Sequence, residues 1–147
     1  MLNQDYKDII QSLLKNKVNY LLVGAYALAA HGIPRATGDI DFFVEATEKN
    51  AKNVYAALKA FGADISELDE MSFVESDVVF QIGVAPRRID LVTKIDGVTF
   101  KEAWKNHEVI DIDGLQTPIL SKNDLIRNKE ATGREKDRLD VDELKKS

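Results

Sequence analysis

The sequence predicts an α/β (α+β) chain, a small mixed β-sheet flanked by helices and followed by a helical tail. Three observations lead there. Apolar runs of four to six residues, short enough to be strands, are bounded by glycine or proline at several points and separated by segments of helical period. One such run is followed directly by Gly24 and a stretch of small helix formers, and two others are joined by tight hairpin signals. Repeated units of strand and long helix are absent, which argues against a regular doubly wound sheet. The 147 residues suit one domain, expected as a core over 1–120 and a tail over 121–147 that packs on it.

In chain order, Asn3 is placed to cap a helix whose apolar positions Tyr6, Ile9, Ile10, Leu13 and Leu14 form one buried stripe. Val18 to Val23 is continuously apolar, as in a strand covered on both faces. Gly24 ends it, and Ala25 to Ala30 favours a short helix stopped by His31, Gly32 and Pro34. Asp39 to Val44 alternates, so Asp39, Asp41 and Phe43 share one face and Ile40, Phe42 and Val44 the other. Thr47 caps a helix reaching Phe61, with Ala51, Val54, Leu58 and Phe61 inward and Gly62 at its stop.

Val78 to Ile82 and Arg88 to Thr93 read as two strands of a hairpin, with Arg88, Asp90 and Val92 on one face of the second. Phe100 to Asn106 is a short helix. Val109 to Ile112 and Leu115 to Ile119 flank Asp113-Gly114, a strong hairpin signal. Ser121 opens a helix with Asp124 in its capping turn, and Gly133 separates it from a last helix over Arg134 to Leu144.

Composition narrows the chemistry. Hydrophobic residues make up 44% and charged residues 31% of a chain without cysteine, which excludes disulfide frameworks, thiolate nucleophiles and zinc knuckles. A net charge of -5 argues against broad adhesion to long duplex DNA. From Ser121 to Ser147 eight basic residues meet seven acidic ones, so the tail carries +1 and the remainder -6. The longest uncharged apolar stretch, Tyr20 to Ala30, falls far short of the roughly 20 residues of a membrane helix. Residues 1–15 lack the layout of a signal peptide, and a cytoplasmic protein with no membrane partner is expected.

Two carboxylates two residues apart on one strand face repel each other, so they call for solvent or a cation. If Asp90 points the same way from a neighbouring strand, three carboxylates converge on an oxygen-rich pocket suited to Mg²⁺, one ion or two, with substrate phosphate completing the coordination. Gly24, between strand and helix, lets the backbone approach an anion closely.

Val23-Gly24-Ala25, thirteen intervening residues, Asp39-Ile40-Asp41, and the later Asp90 in Arg88-Ile89-Asp90-Leu91 together resemble the nucleotidyltransferase (polymerase beta-like) superfamily. More narrowly, Gly24-Ala25-Tyr26-Ala27, His31-Gly32, Arg35, Thr37 and the acidic strand resemble the abortive-infection (AbiEii-type) nucleotidyltransferase-like proteins, which include toxins of toxin–antitoxin pairs. Leu125, Lys129, Ala131, Arg134, Lys136-Asp137 and Asp140 follow in the order of that group's tail. The resemblance implies a nucleotidyltransferase-like core in which Asp39, Asp41 and Asp90 hold Mg²⁺, as two ions, and serve catalysis. It also implies that Gly24, Ala25, Arg35, Thr37 and Lys129 bind the nucleotide.

The implied reaction moves a nucleoside monophosphate from an NTP to a hydroxyl of RNA, protein or a small molecule, and an antitoxin protein is an implied partner. Ala25 departs from the superfamily's usual Ser or Gly and removes a hydroxyl from the turn. The other reading is a non-catalytic module of the same fold that binds nucleotide or a partner without turnover. His31 reads as a helix-end or packing residue, and Arg87 and Arg88 as partners of acids or of an RNA backbone.

Overall fold

The computed structural model describes residues 2–35, 38–84 and 86–147. Among these, six strands form one mixed sheet in the order β3-β4-β2-β1-β6-β5. The strands are β1 (Tyr20–Val23), β2 (Ile40–Val44), β3 (Val79–Ile82), β4 (Ile89–Val92), β5 (Glu108–Ile112) and β6 (Leu115–Ile119). At the centre β1 runs antiparallel to β2 and parallel to β6, while β2 runs parallel to β4. The hairpins β3–β4 and β5–β6 close the two edges.

The helices are α1 (Gln4–Lys15), α2 (Gly24–Ala30), α3 (Glu48–Phe61), α4 (Phe100–Asn106), α5 (Lys122–Thr132) and α6 (Glu135–Lys146), with a 3₁₀ turn at Ser72–Val74. Asn3, Thr47 and Ser121 accept N-cap hydrogen bonds from Tyr6, Asn50 and Asp124, and Thr99 and Glu102 form a capping box at α4. Gly62 and Gly133 end α3 and α5 in the left-handed conformation.

Alternation along the central strands divides the core in two. Tyr20, Leu22, Ile40, Phe42, Val44, Ile89 and Leu91 face α1 and α3, packing on Ile9, Ile10, Leu13, Ala51, Val54 and Leu58. Leu21, Val23 and Phe43 face the other way, with Ala27 and Leu28 of α2, Phe100 and Ala103 of α4, Leu125 of α5 and Leu144 of α6. On that second face Phe43 meets Phe100 edge to face at 5.1 Å, and Trp104 stacks on Phe100 at 5.5 Å.

The structure departs from the expected elements in detail. Leu14 lies outside the buried stripe and is exposed, because α1 presents only Tyr6, Ile9, Ile10 and Leu13 to the sheet. Phe61 is only partly buried at the end of α3, and Ala57 completes that helix's inner stripe. Asp39 precedes β2 rather than standing inside it. No helix of the described residues is long and apolar enough to cross a membrane.

Candidate active site

The site starts where β1 turns into α2. Val23 is extended, and Gly24 takes φ 69° before the helix begins. A Cβ at position 24 would collide with Oδ2 of Asp41 and stand 3.2 Å from its Cγ. Glycine is therefore required twice, for its backbone conformation and for the closeness of the carboxylate. Gly38, before Asp39, makes the corresponding close approach on the other side, since any Cβ there would overlap the carbonyl of Pro86.

Sheet register then collects the acids. Val23 pairs with Asp41 across the antiparallel β1–β2 ladder, and Asp41 pairs with Asp90 across the parallel β2–β4 ladder. Asp41 and Asp90 thus stand side by side on the face that carries Phe43. The Arg88 guanidinium bridges the acids: Nε donates to Asp90 Oδ1 at 2.9 Å, Nη2 to Asp90 Oδ2 at 3.2 Å, and Nη2 lies 3.3 Å from Asp39 Oδ2. Its backbone is pinned, for the Arg88 carbonyl accepts from Ile40 N–H at 3.0 Å and from the Tyr6 hydroxyl at 3.2 Å.

Burial, then the hydrogen bond and charge of Asp90, push the Asp41 carboxyl up to about 7; the Asp39 charge adds to this and Arg88 opposes it. Among the described residues no group of three or more His, Asp or Glu side chains is already arranged around a metal position. The donor set nevertheless fits a hard divalent cation: carboxylate oxygens only, two acids already sharing a cationic group, and a third that burial and the neighbouring acids push towards its protonated form.

Beyond Gly24 a cavity of ≈ 470 Å³ opens between α2 and the tail, lined by Ala25, Leu28, Arg35, Lys129, Lys136, Asp137, Leu139 and Asp140. Lys129 Nζ lies 3.3 Å from Asp137 Oδ1 and 3.7 Å from Asp140 Oδ2. Asp137 is fully buried and also accepts from the Thr132 hydroxyl at 2.6 Å and Arg134 Nε at 2.7 Å. Burial raises its carboxyl, but the bonds from Thr132, Arg134 and Lys129 outweigh that and hold it below the usual range. Arg35 donates to Asp140 through Nη2 and lies 3.7 Å from Glu143.

Of the residues expected at the site, Gly24, Asp39, Asp41 and Asp90 gather at the strand ends, while Ala25, Arg35 and Lys129 line the cavity. Thr37 lies outside the described residues. His31 ends α2 and donates from Nε2 to the Leu120 carbonyl at 2.9 Å. The sequence alone leaves Arg88 between an acidic partner and RNA, and the structure gives it Asp39 and Asp90; its spacing of two from Asp90 puts it on that face. Lys136 has the weaker signal of helical spacing, seven residues past Lys129 across a glycine break.

A family model described as "Nucleotidyltransferase of unknown function (DUF6036)" matches residues 1–145. No curated protein matches the sequence. Among solved structures, a protein of Thermotoga maritima described as a nucleotidyltransferase is similar with a TM-score of 0.64 at 17% identity, covering 100% of this chain and 97% of its own. The lincosamide antibiotic adenylyltransferase LnuA, bound to lincomycin, gives a TM-score of 0.62 at 16% identity over 99% and 97%. An antigenic nucleotidyltransferase-like protein from Paracoccidioides brasiliensis gives 0.57 at 17% over 95% and 74%. At these identities the likeness is one of fold.

Proposed function

The chain belongs to the DUF6036 family of nucleotidyltransferases, and from that premise we propose that it transfers a nucleoside monophosphate from an NTP to an acceptor hydroxyl, the hydroxyl oxygen bonding to the α-phosphorus as pyrophosphate leaves, with Mg²⁺ held by Asp39, Asp41 and Asp90. The observation that carries this is the pairing of Asp41 with Asp90 across β2 and β4, beside Gly24 and with Asp39 tied in through Arg88.

Each residue has a physical task. The three carboxylates supply the hard oxygen ligands, and their charge is what would otherwise repel a triphosphate. Bound Mg²⁺ would offset the charge of the phosphates and stabilise negative charge developing in transfer. Gly24 leaves room for backbone and phosphate to approach, and Ala25 narrows the turn without a hydroxyl. Lys129, with Arg35 and Lys136 along the cavity, meets the polyphosphate; Asp137 and Asp140 hold the Lys129 and Arg35 side chains in place until it arrives. Asp90, beside Asp41, is positioned to take the proton of the acceptor hydroxyl. Residues 1–120 form the transfer core, and residues 121–147 complete the nucleotide side of the cleft.

The acceptor is a hydroxyl on RNA, protein or a small molecule, and the order of motifs shared with the abortive-infection group supports a toxin whose activity an antitoxin restrains. The protein acts in the cytoplasm in this reading. The test is to incubate the purified chain with each α-labelled NTP, Mg²⁺ and cellular RNA, protein and small-molecule fractions, beside an Asp39→Ala/Asp41→Ala double variant. Label on one fraction that disappears with the variant is the expected result. Label that persists in the variant, or none with any NTP, overturns the proposal.

A further inference from the structure

Arg88 stands where the proposed site needs a cation. Its guanidinium makes a two-point contact with Asp90 and reaches Asp39 with the same Nη2, so one positive group spans two of the three acids. Such a fork is the strongest form of Arg–carboxylate pairing and is specific in geometry. The side chain carrying it is 32% exposed, whereas Asp90 is 10% exposed, so the cation reaches inward from solvent to the acid.

The anchoring of the residue divides the same way. Its carbonyl is fixed by Ile40 and Tyr6, and the strand that begins at Ile89 is registered against both β2 and β3. The backbone therefore stays in place when the side chain leaves, and rotation about the side-chain bonds alone carries the guanidinium out.

We propose that Arg88 is an internal counter-cation, filling the metal position in the metal-free chain and exchanging with the divalent ion when that ion binds. This rests on the reading of Asp39, Asp41 and Asp90 as metal ligands. The guanidinium and the ion compete for the same oxygens of Asp39 and Asp90, so they do not occupy the site together in these positions. In the metal-free state Arg88 offsets the repulsion among carboxylates that the sheet register forces together. In the loaded state it is released at the mouth of the site, where an incoming triphosphate offers it new anionic partners. Metal affinity in the absence of nucleotide is consequently held down by the chain itself.

The experiment is a titration of the metal-free protein with MnCl₂, free Mn²⁺ being read by electron paramagnetic resonance, for wild type, Arg88→Gln, Arg88→Lys and Asp41→Asn. Melting of each protein is followed without metal and at saturation. Loss of the competing cation should tighten Mn²⁺ binding by about tenfold in Arg88→Gln. Arg88→Lys, which keeps the charge and loses the fork, should fall between wild type and Arg88→Gln and guards against a folding failure of the latter. The metal-free Arg88→Gln protein should melt below wild type and recover most of the difference with Mn²⁺. If Mn²⁺ binds wild type and is lost in Asp41→Asn, but binds Arg88→Gln and Arg88→Lys no more tightly than wild type, the counter-cation proposal is overturned and the metal-site reading stands. If none of the four proteins binds Mn²⁺, both are overturned.

Discussion

Gly24 and Asp41 are in such close contact that no side chain can occupy position 24 without displacing the Asp41 carboxylate. The turn at 24 and the acid at 41 are 17 residues apart in sequence but adjacent through the β1–β2 pairing of Val23 with Asp41. Gly24→Ala must therefore adopt a positive φ and push the carboxylate away from its position beside Asp90. The expected result is a loss of about 2 kcal/mol in unfolding free energy by denaturant titration, together with nucleotidyl transfer reduced to background. A folded Gly24→Ala protein with full transfer would separate the turn from the chemistry.

Asp41 gives the metal-free protein a pH dependence of opposite sign to that of an ordinary paired carboxylate. Its folded-state value is raised to about 7 from 3.8, first by burial and then by Asp90. Between those values the folded chain keeps a proton that the unfolded chain has lost, so this contribution is complete below the unfolded value and is lost as pH rises towards 7. The melting temperature of wild type minus that of Asp41→Asn, measured without metal, should therefore fall from pH 4 to pH 7 and level off above. A difference that rises over that window would mean that Asp41 is ionised and already compensated in the folded chain.

Much of this arrangement was legible in the sequence, for reasons that are local. Gly24, the Asp39–Asp41 alternation and the hairpin around Asp113-Gly114 are each set by neighbours within a few residues, and the structure has Asp113 and Gly114 both at positive φ. What could not be read is what depends on register between distant strands. The spacing of Arg88 and Asp90 put them on one face, but only the β2–β4 pairing shows that the guanidinium also reaches Asp39. Leu14 differs for a related reason: helical period marks a face but not where its covered part ends, and α1 buries Tyr6, Ile9, Ile10 and Leu13 while Leu14, at the edge of that face, stays exposed.

The tail network provides a separate test of its own. Asp137 is the buried hub that joins Lys129, Thr132 and Arg134, so Asp137→Ala leaves the largely buried Lys129 ammonium facing the cavity with Asp140 as its remaining acidic partner among the described residues. Breaking one partner of a buried pair costs more than the pair contributes as a whole. The variant should lose about 3 kcal/mol of unfolding free energy, with the α5–α6 turn showing the largest gain in amide exchange. Unchanged stability would show that the apolar contacts of Leu125 and Leu144, rather than the Asp137 network, hold the tail to the sheet.

Asn50 poses the same question on the opposite face of the sheet. It sits one residue from Ala51 on the inner side of α3 and is 2% exposed, a polar side chain where the helical period alone reads core. Its carboxamide accepts from Asn19 N–H at 2.7 Å and donates to the carbonyls of Asn19 at 3.0 Å and Glu45 at 2.9 Å. One side chain therefore ties the entry of β1 to the exit of β2, the two central strands that bring Gly24 to Asp41. Asn50→Leu fills the space but removes the acceptor of the Asn19 N–H and the donor to the Glu45 carbonyl, while the Asn19 carbonyl keeps the Glu45 N–H at 3.2 Å, and it should destabilise by about 2 kcal/mol in denaturant unfolding. Asn50→Asp keeps the acceptor for Asn19 N–H while facing two carbonyls with a charge, so it should be no better at neutral pH and should recover on acidification, when the protonated acid can donate again. A neutral Asn50→Leu substitution would show that packing of the strands alone sets their register.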